Sequence, residues 1–149
     1  MNNIENLKDL IIYQSQNNEN ISVEVLYNEE DFWLTQKSMS KLFNVAENNI
    51  TYHLQNIFKT KELEQDSVTQ KIRVTASDGK KYNTNFYNLD AIIAVGYRVN
   101  SKEATDFRIW VSKFVKESNR KIRNKARNEV LISIVILFFA FAIFLIDIL

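Results

Sequence analysis

Six side chains between residues 46 and 59 could do chemistry together: Asn48, Asn49, Thr51, Tyr52, Gln55 and Lys59. Asn and Gln carry a donor and an acceptor in one plane and can pair with an adenine edge, while Thr can touch a thymine methyl. A tyrosine hydroxyl can bond a phosphate, and a lysine can neutralise one. Setting Ile50 at the middle of a buried helical stripe and advancing about 100° per residue puts Asn48, Tyr52, Gln55 and Lys59 opposite it. Asn49, Thr51 and Asn56 flank them, and Glu47 is the single acid of this stretch. A second cluster, Lys71, Arg73, Lys80 and Lys81, surrounds the turn residues Ser77, Asp78 and Gly79, with Asp78 its only acid. Cations so placed would lie on phosphates and supply salt-sensitive affinity rather than sequence readout. A plainer reading fits the same residues. Exposed helices are ordinarily polar, lysines protect edge strands, and helix-turn-helix units also serve as packing or protein-docking elements.

Catalysis finds little footing. General acid-base work needs titratable groups gathered in one cleft, and the carboxylates here are scattered at surface-like positions. No Ser-His-Asp set, HExxH or glycine-rich phosphate loop occurs. There is no cysteine, so disulfides, thiolate metal sites and a thiol nucleophile are excluded. The single histidine, His53, falls roughly 80° from the middle of the buried stripe and reads as a boundary packing residue. Neither an enzyme nor a cofactor site is expected.

These side chains need elements to hold them. Residues 11–14 and 21–26 are β-prone runs around a polar turn and predict a hairpin. Residues 29–31 turn the chain, and residues 32–34 lead into a short helix capped by Thr35 and ending at Phe43. Asn44 suits a tight left-handed turn. A second helix follows over 46–58, with Ile50, Leu54, Ile57 and Phe58 at the spacing of one buried face. Residues 68–74 and 81–87 predict a second hairpin with Asp-Gly at its tip. Residues 89–95 are apolar and of ambiguous type, reading as a short helix begun near Asn88. Asn100 with Glu103 resembles a capping box. The helix it starts should bury Phe107, Trp110, Val111, Phe114 and Val115 and run on uninterrupted, since no Gly or Pro follows. Two short helices, a turn of about three residues and then a hairpin is the order of a winged helix-turn-helix.

The chain ends differently. Residues 130–146 are 17 apolar or small residues, 14 of them Val, Leu, Ile or Phe, with no polar stripe. That length reaches the short end of the ~17–25 residues a bilayer core requires. At roughly −0.3 to −0.6 kcal/mol each, those 14 contribute about −4 to −8 kcal/mol for membrane insertion. Asp147 would sit at the far interface. Arg120, Lys121, Arg123, Lys125 and Arg127 flank the segment, which puts the N-terminal part in the cytoplasm and also favours anionic lipid. The formal charge of +1 hides this asymmetry, because residues 1–119 carry 14 Lys and Arg against 16 Asp and Glu, a balance of −2. Net charge alone therefore makes no case for nucleic acid. The polar start MNNIENLKDL lacks a signal-peptide pattern.

Three blocks carry a resemblance. LTQKSMSKLFNVAENNITYHLQNIF (34–58), TASDGKKYNTNFYNLDAIIAVGYRVNS (75–101) and FRIWVSKFVKE (107–117) resemble the N-terminal region of the RhuM family of bacterial proteins. Members are called virulence-related or DNA-binding and often occur in mobile or prophage-derived regions. Their helical block also looks like the DNA-binding BRO-N and KilA-N modules. The resemblance implies a DNA-binding role for the helix around residues 48–55, and nothing catalytic. After about Glu117 this chain departs from the pattern, since longer members continue into a soluble region where it has a basic helix and an apolar end.

The expected protein is α+β: a RhuM-like winged-helix domain over 1–117, a basic juxtamembrane helix over 118–129 and a transmembrane helix over 130–149. A helix over 100–129 would be about 45 Å long. It would be a single-pass protein of the cell membrane, with its N-terminal domain cytoplasmic and duplex DNA and the bilayer as partners. Residues 100–129 and the span are the elements that could pair two copies in a homodimer. Two other readings stand beside it: a membrane-anchored protein-interaction module, such as a phage-defence or toxin-like component, and an inactive truncated remnant.

Overall fold

The computed structural model describes residues 10–148, with side chains through Ile143. The expected start of the first domain at residues 1–9 and the placing of Asp147 at an interface lie outside the described residues and side chains. The chain is α+β and divides into two compact units, Met1–Trp110 and Val111–Leu149.

In the first unit, strands β1 (Leu10–Gln14), β2 (Ser22–Asn28) and β3 (Asp31–Trp33) form an antiparallel sheet in that order. β1 and β2 are the expected hairpin; β3 is a strand that the composition of residues 29–34 did not announce. Its turn explains why. Glu29 and Glu30 both take positive φ, 51° and 63°, the two-residue geometry of a tight hairpin. Asn-Gly or Asp-Gly ordinarily signals that turn, and two glutamates do not.

Helix α1 (Gln36–Phe43) begins at Thr35, whose Oγ1 accepts from the Ser38 amide at 3.1 Å. It ends at Asn44, held left-handed at φ 54° and ψ 48°. Helix α2 (Glu47–Lys59) follows after residues 44–46, and it buries Ile50, Leu54 and Ile57. A four-residue helix, α3 (Gln65–Val68), precedes strands β4 (Thr69–Thr75) and β5 (Lys81–Tyr87), which pair as a separate two-stranded sheet. Between them Gly79 takes φ +77°, the Ala76 carbonyl accepts from its amide at 2.9 Å, and Asp78 Oδ1 accepts from the Lys80 amide. The ambiguous stretch is helical: α4 (Leu89–Val99) starts at Asn88, whose Oδ1 accepts from the Ala91 amide at 3.2 Å.

Helix α5 (Ser101–Ile148) runs without a break. Only half of the expected capping box forms. Asn100 Oδ1 accepts from the Glu103 amide, but the Glu103 carboxylate turns away and accepts from the buried Ser15 hydroxyl at 3.2 Å. Of the five apolar residues expected inside, Phe107 and Val111 are buried, while Trp110, Phe114 and Val115 are half-buried.

The core of the first unit is aromatic at one end and aliphatic at the other. Tyr13 meets Phe107 edge-on at 5.1 Å and Trp110 at 5.3 Å, and Phe107 stacks on Trp110 at 5.6 Å. Met39, Leu42 and Phe43 of α1 close over Ile50 and Leu54 of α2 and Ile92 and Val95 of α4, all buried. Gly96 permits this fit, since a Cβ there would stand 2.5 Å from Phe43 Cζ and 2.8 Å from Ala104 Cβ.

Candidate nucleic-acid interface

Burial of Ile50, Leu54 and Ile57 fixes which side of α2 meets water. Asn48, Asn49, Gln55 and Lys59 are exposed, and Tyr52 is 60% exposed. The Tyr52 ring leans edge-on against His53 at 5.2 Å, so the half-buried histidine braces an exposed aromatic. Thr51 is different. It is half-buried, and its hydroxyl lies 3.0 Å from Gln36 Oε1 and 3.1 Å from the Glu47 carbonyl. A hydroxyl has one proton, so it donates to one of these at a time. Thr51 thus sits at the flank of α2, where its hydroxyl reaches the start of α1.

Gln36 joins three elements. Its carboxamide accepts from Thr51 of α2, and its Nε2 donates to the Tyr87 hydroxyl of β5 at 2.9 Å. Just before it, Leu34 and Tyr87 exchange two backbone hydrogen bonds of 3.0 and 2.8 Å. The starts of α1, α2 and the base of the second hairpin are thereby tied together. Between them lies an open groove of about 440 Å³, lined among others by Gln36, Lys37, Glu47, Asn83, Asn85 and Tyr87.

On the hairpin, Lys71, Arg73, Lys80 and Lys81 are all exposed. Ile72 points the other way and is buried, as strand alternation requires. The one acid at the tip, Asp78, is engaged, accepting from the Lys80 amide and the Tyr82 hydroxyl at 2.9 Å each. Gln36, Lys37, Asn83 and Asn85 were not among the candidates read from the chain. The two asparagines had a signal, since the strand period of two puts Lys81, Asn83 and Asn85 on one side of residues 81–87 and Tyr82, Thr84 and Phe86 on the other. Gln36 had none, because its role comes from the meeting of three distant segments.

In the second unit the basic residues Arg120, Lys121, Arg123, Lys125 and Arg127 are exposed along α5. The apolar stretch beyond them is exposed too, with Leu137, Phe138 and Phe139 at 63–70%. By length and composition this helix can cross a membrane, and none of its most apolar window is buried. No cluster of three or more His, Asp or Glu that could hold a metal ion occurs among the described residues.

No curated protein and no solved structure matches the chain. Residues 67–123 match the family described as Virulence protein RhuM family. The matched stretch includes the hairpin cations and leaves α2 outside it. Of the three blocks that carry the resemblance, 75–101 and 107–117 fall within this match, which runs from the end of α3 through β4, β5 and α4 into α5, and 34–58 falls outside it.

Proposed function

We propose that this is a membrane-anchored, cytoplasmic DNA-binding protein of the RhuM type, with its first unit acting as a winged helix-turn-helix. Helix α2 would enter the major groove and present Asn48, Asn49, Tyr52 and Gln55, with Thr51 holding its angle and Lys59 near a phosphate. Lys71, Arg73, Lys80 and Lys81 would lie on the backbone. The apolar end of α5 would fix the chain in the cell membrane, and the five basic side chains before it would keep the first unit inside. One observation carries this reading: the exposed side of α2 is built of uncommitted amides beside a hairpin whose only acid is already bonded.

The test is duplex binding by the full chain in detergent at 50 and 200 mM salt. With about five phosphate contacts, affinity should fall roughly 100- to 1000-fold between the two. Changing Asn48, Tyr52 and Gln55 together to Ala should abolish sequence preference at the base pairs under α2. Absence of any duplex binding at low salt sinks the reading.

A membrane-anchored protein-docking module is the second reading. The −2 balance of residues 1–119 favours it, as does a largely apolar groove of about 250 Å³ lined by Leu10, Leu26, Val74 and Phe86. Docking through such a groove would persist at high salt.

A further inference from the structure

The second hairpin carries more than charge. Strand alternation and register collect Lys71, Arg73, Lys81, Asn83 and Asn85 on one face, pairing Lys71 with Asn85 and Arg73 with Asn83 across the strands. All five are exposed. Asparagine is among the residues most depleted from strands, yet two stand two apart in the seven-residue β5. Neither side chain has a hydrogen-bond partner among the described residues, so neither supports the hairpin. Both line the groove whose other side is the start of α1, at Gln36 and Lys37, with Glu47 at the start of α2. Their spacing has a second consequence. Residues two apart on a strand stand about 6.6 Å from each other, close to two base-pair steps of about 3.4 Å.

Resting on the DNA-binding reading above, we propose that Asn83 and Asn85 read two A·T base pairs, two steps apart, beside the α2 footprint. Lys71 and Arg73 hold the phosphates that flank them. A carboxamide can pair with adenine N6 and N7 in the major groove, or donate to adenine N3 or thymine O2 in the minor groove. The shared chemistry is the A·T edge. The hairpin is then a reader with a phosphate rim.

The experiment selects preferred duplexes from a randomised pool, using the full chain in detergent, for the wild type and for Asn83→Ala and Asn85→Ala. Asn83→Thr and Asn85→Thr, better strand formers, control for loss of the hairpin. Each change should relax an A·T preference of about 5- to 150-fold at one position, the two positions lying two pairs apart. The salt slope should stay unchanged, whereas Lys71→Ala should reduce it and leave the preference intact. Substituting 7-deazaadenine at these positions weakens binding if the contact is in the major groove, and 2,6-diaminopurine weakens it if in the minor groove. Insensitivity to both substitutions overturns the inference. So does an asparagine variant that selects the wild-type motif, and the broader reading survives that; a wild type that binds duplex without sequence preference overturns the base readout by α2 as well. If the wild type binds no duplex at all, both fall together.

Discussion

The outer side of helix α2 and residues 130–141 of α5 are both exposed helical surface, and their side chains are opposites. One offers Asn48, Tyr52 and Gln55 to solvent; the other offers Ile136, Phe138 and Phe139. Exposure of amides costs nothing, because water satisfies them until a partner does. Exposure of an apolar cylinder is another matter, since soluble monomers rarely show contiguous apolar patches beyond a few hundred Å². An amphipathic helix says where its protein is, and an all-apolar helix says that something outside the chain must cover it.

The largest effect should come from removing residues 130–149. Fractionation of tagged protein should then find it in the soluble fraction, whereas the intact chain should sediment with membranes. A truncated chain that still sediments would break the contrast between the two helices.

Next comes the packing that keeps the first unit's polar surface in shape. Phe107 is fully buried between Tyr13 and Trp110, so Phe107→Ala should lower stability by about 3–5 kcal/mol in a denaturant titration.

The same aromatic cluster makes a pH prediction. Burial, reinforced by the Glu103 carboxylate, pushes the Tyr13 phenol from its ordinary 10.0 up to about 12. Below pH 10 the phenol is neutral in folded and unfolded chains alike, so it contributes no pH dependence. Between pH 10 and about 12 the unfolded chain ionises while the folded one does not, and stability falls as pH rises. Two pH units correspond to a loss of at most ~2.7 kcal/mol. Tyr13 Oη has no hydrogen-bond partner among the described residues, so Tyr13→Phe should leave neutral-pH stability nearly unchanged and remove this component of the alkaline loss. Thermal melts of both proteins from pH 8 to 12 check it. The smallest effect is Thr35→Ala, which removes the cap of α1 and should cost about 1 kcal/mol.

Much of this architecture was legible before any coordinates. The period of Ile50, Leu54 and Ile57 marked the buried stripe of α2, and the Asp-Gly pair marked the hairpin tip. Periodicity is local, so local elements were readable. The turn at residues 29–31 was read too, but strand β3 after it was not, because two glutamates there adopt a hairpin backbone usually taken by Gly or Asn. Thr51, set at a flank by the helical wheel, is half-buried, as a flank position requires. What the wheel could not supply is its partner, Gln36 of α1, 3.0 Å from the hydroxyl.

Residue order alone determined that one end of this chain is uniformly apolar, that basic residues precede it, and that a polar helix face and a cationic hairpin lie upstream. Those properties depend on neighbours within a few positions, where helix and strand geometry rule. Tertiary structure decided what sequence distance hides: that Gln36 links α1, α2 and β5, that Glu103 is claimed by Ser15 rather than by its own cap, and that Asn83 and Asn85 share a groove with Glu47. Such contacts join residues up to 88 positions apart, and only packing of the whole unit brings them within bonding distance.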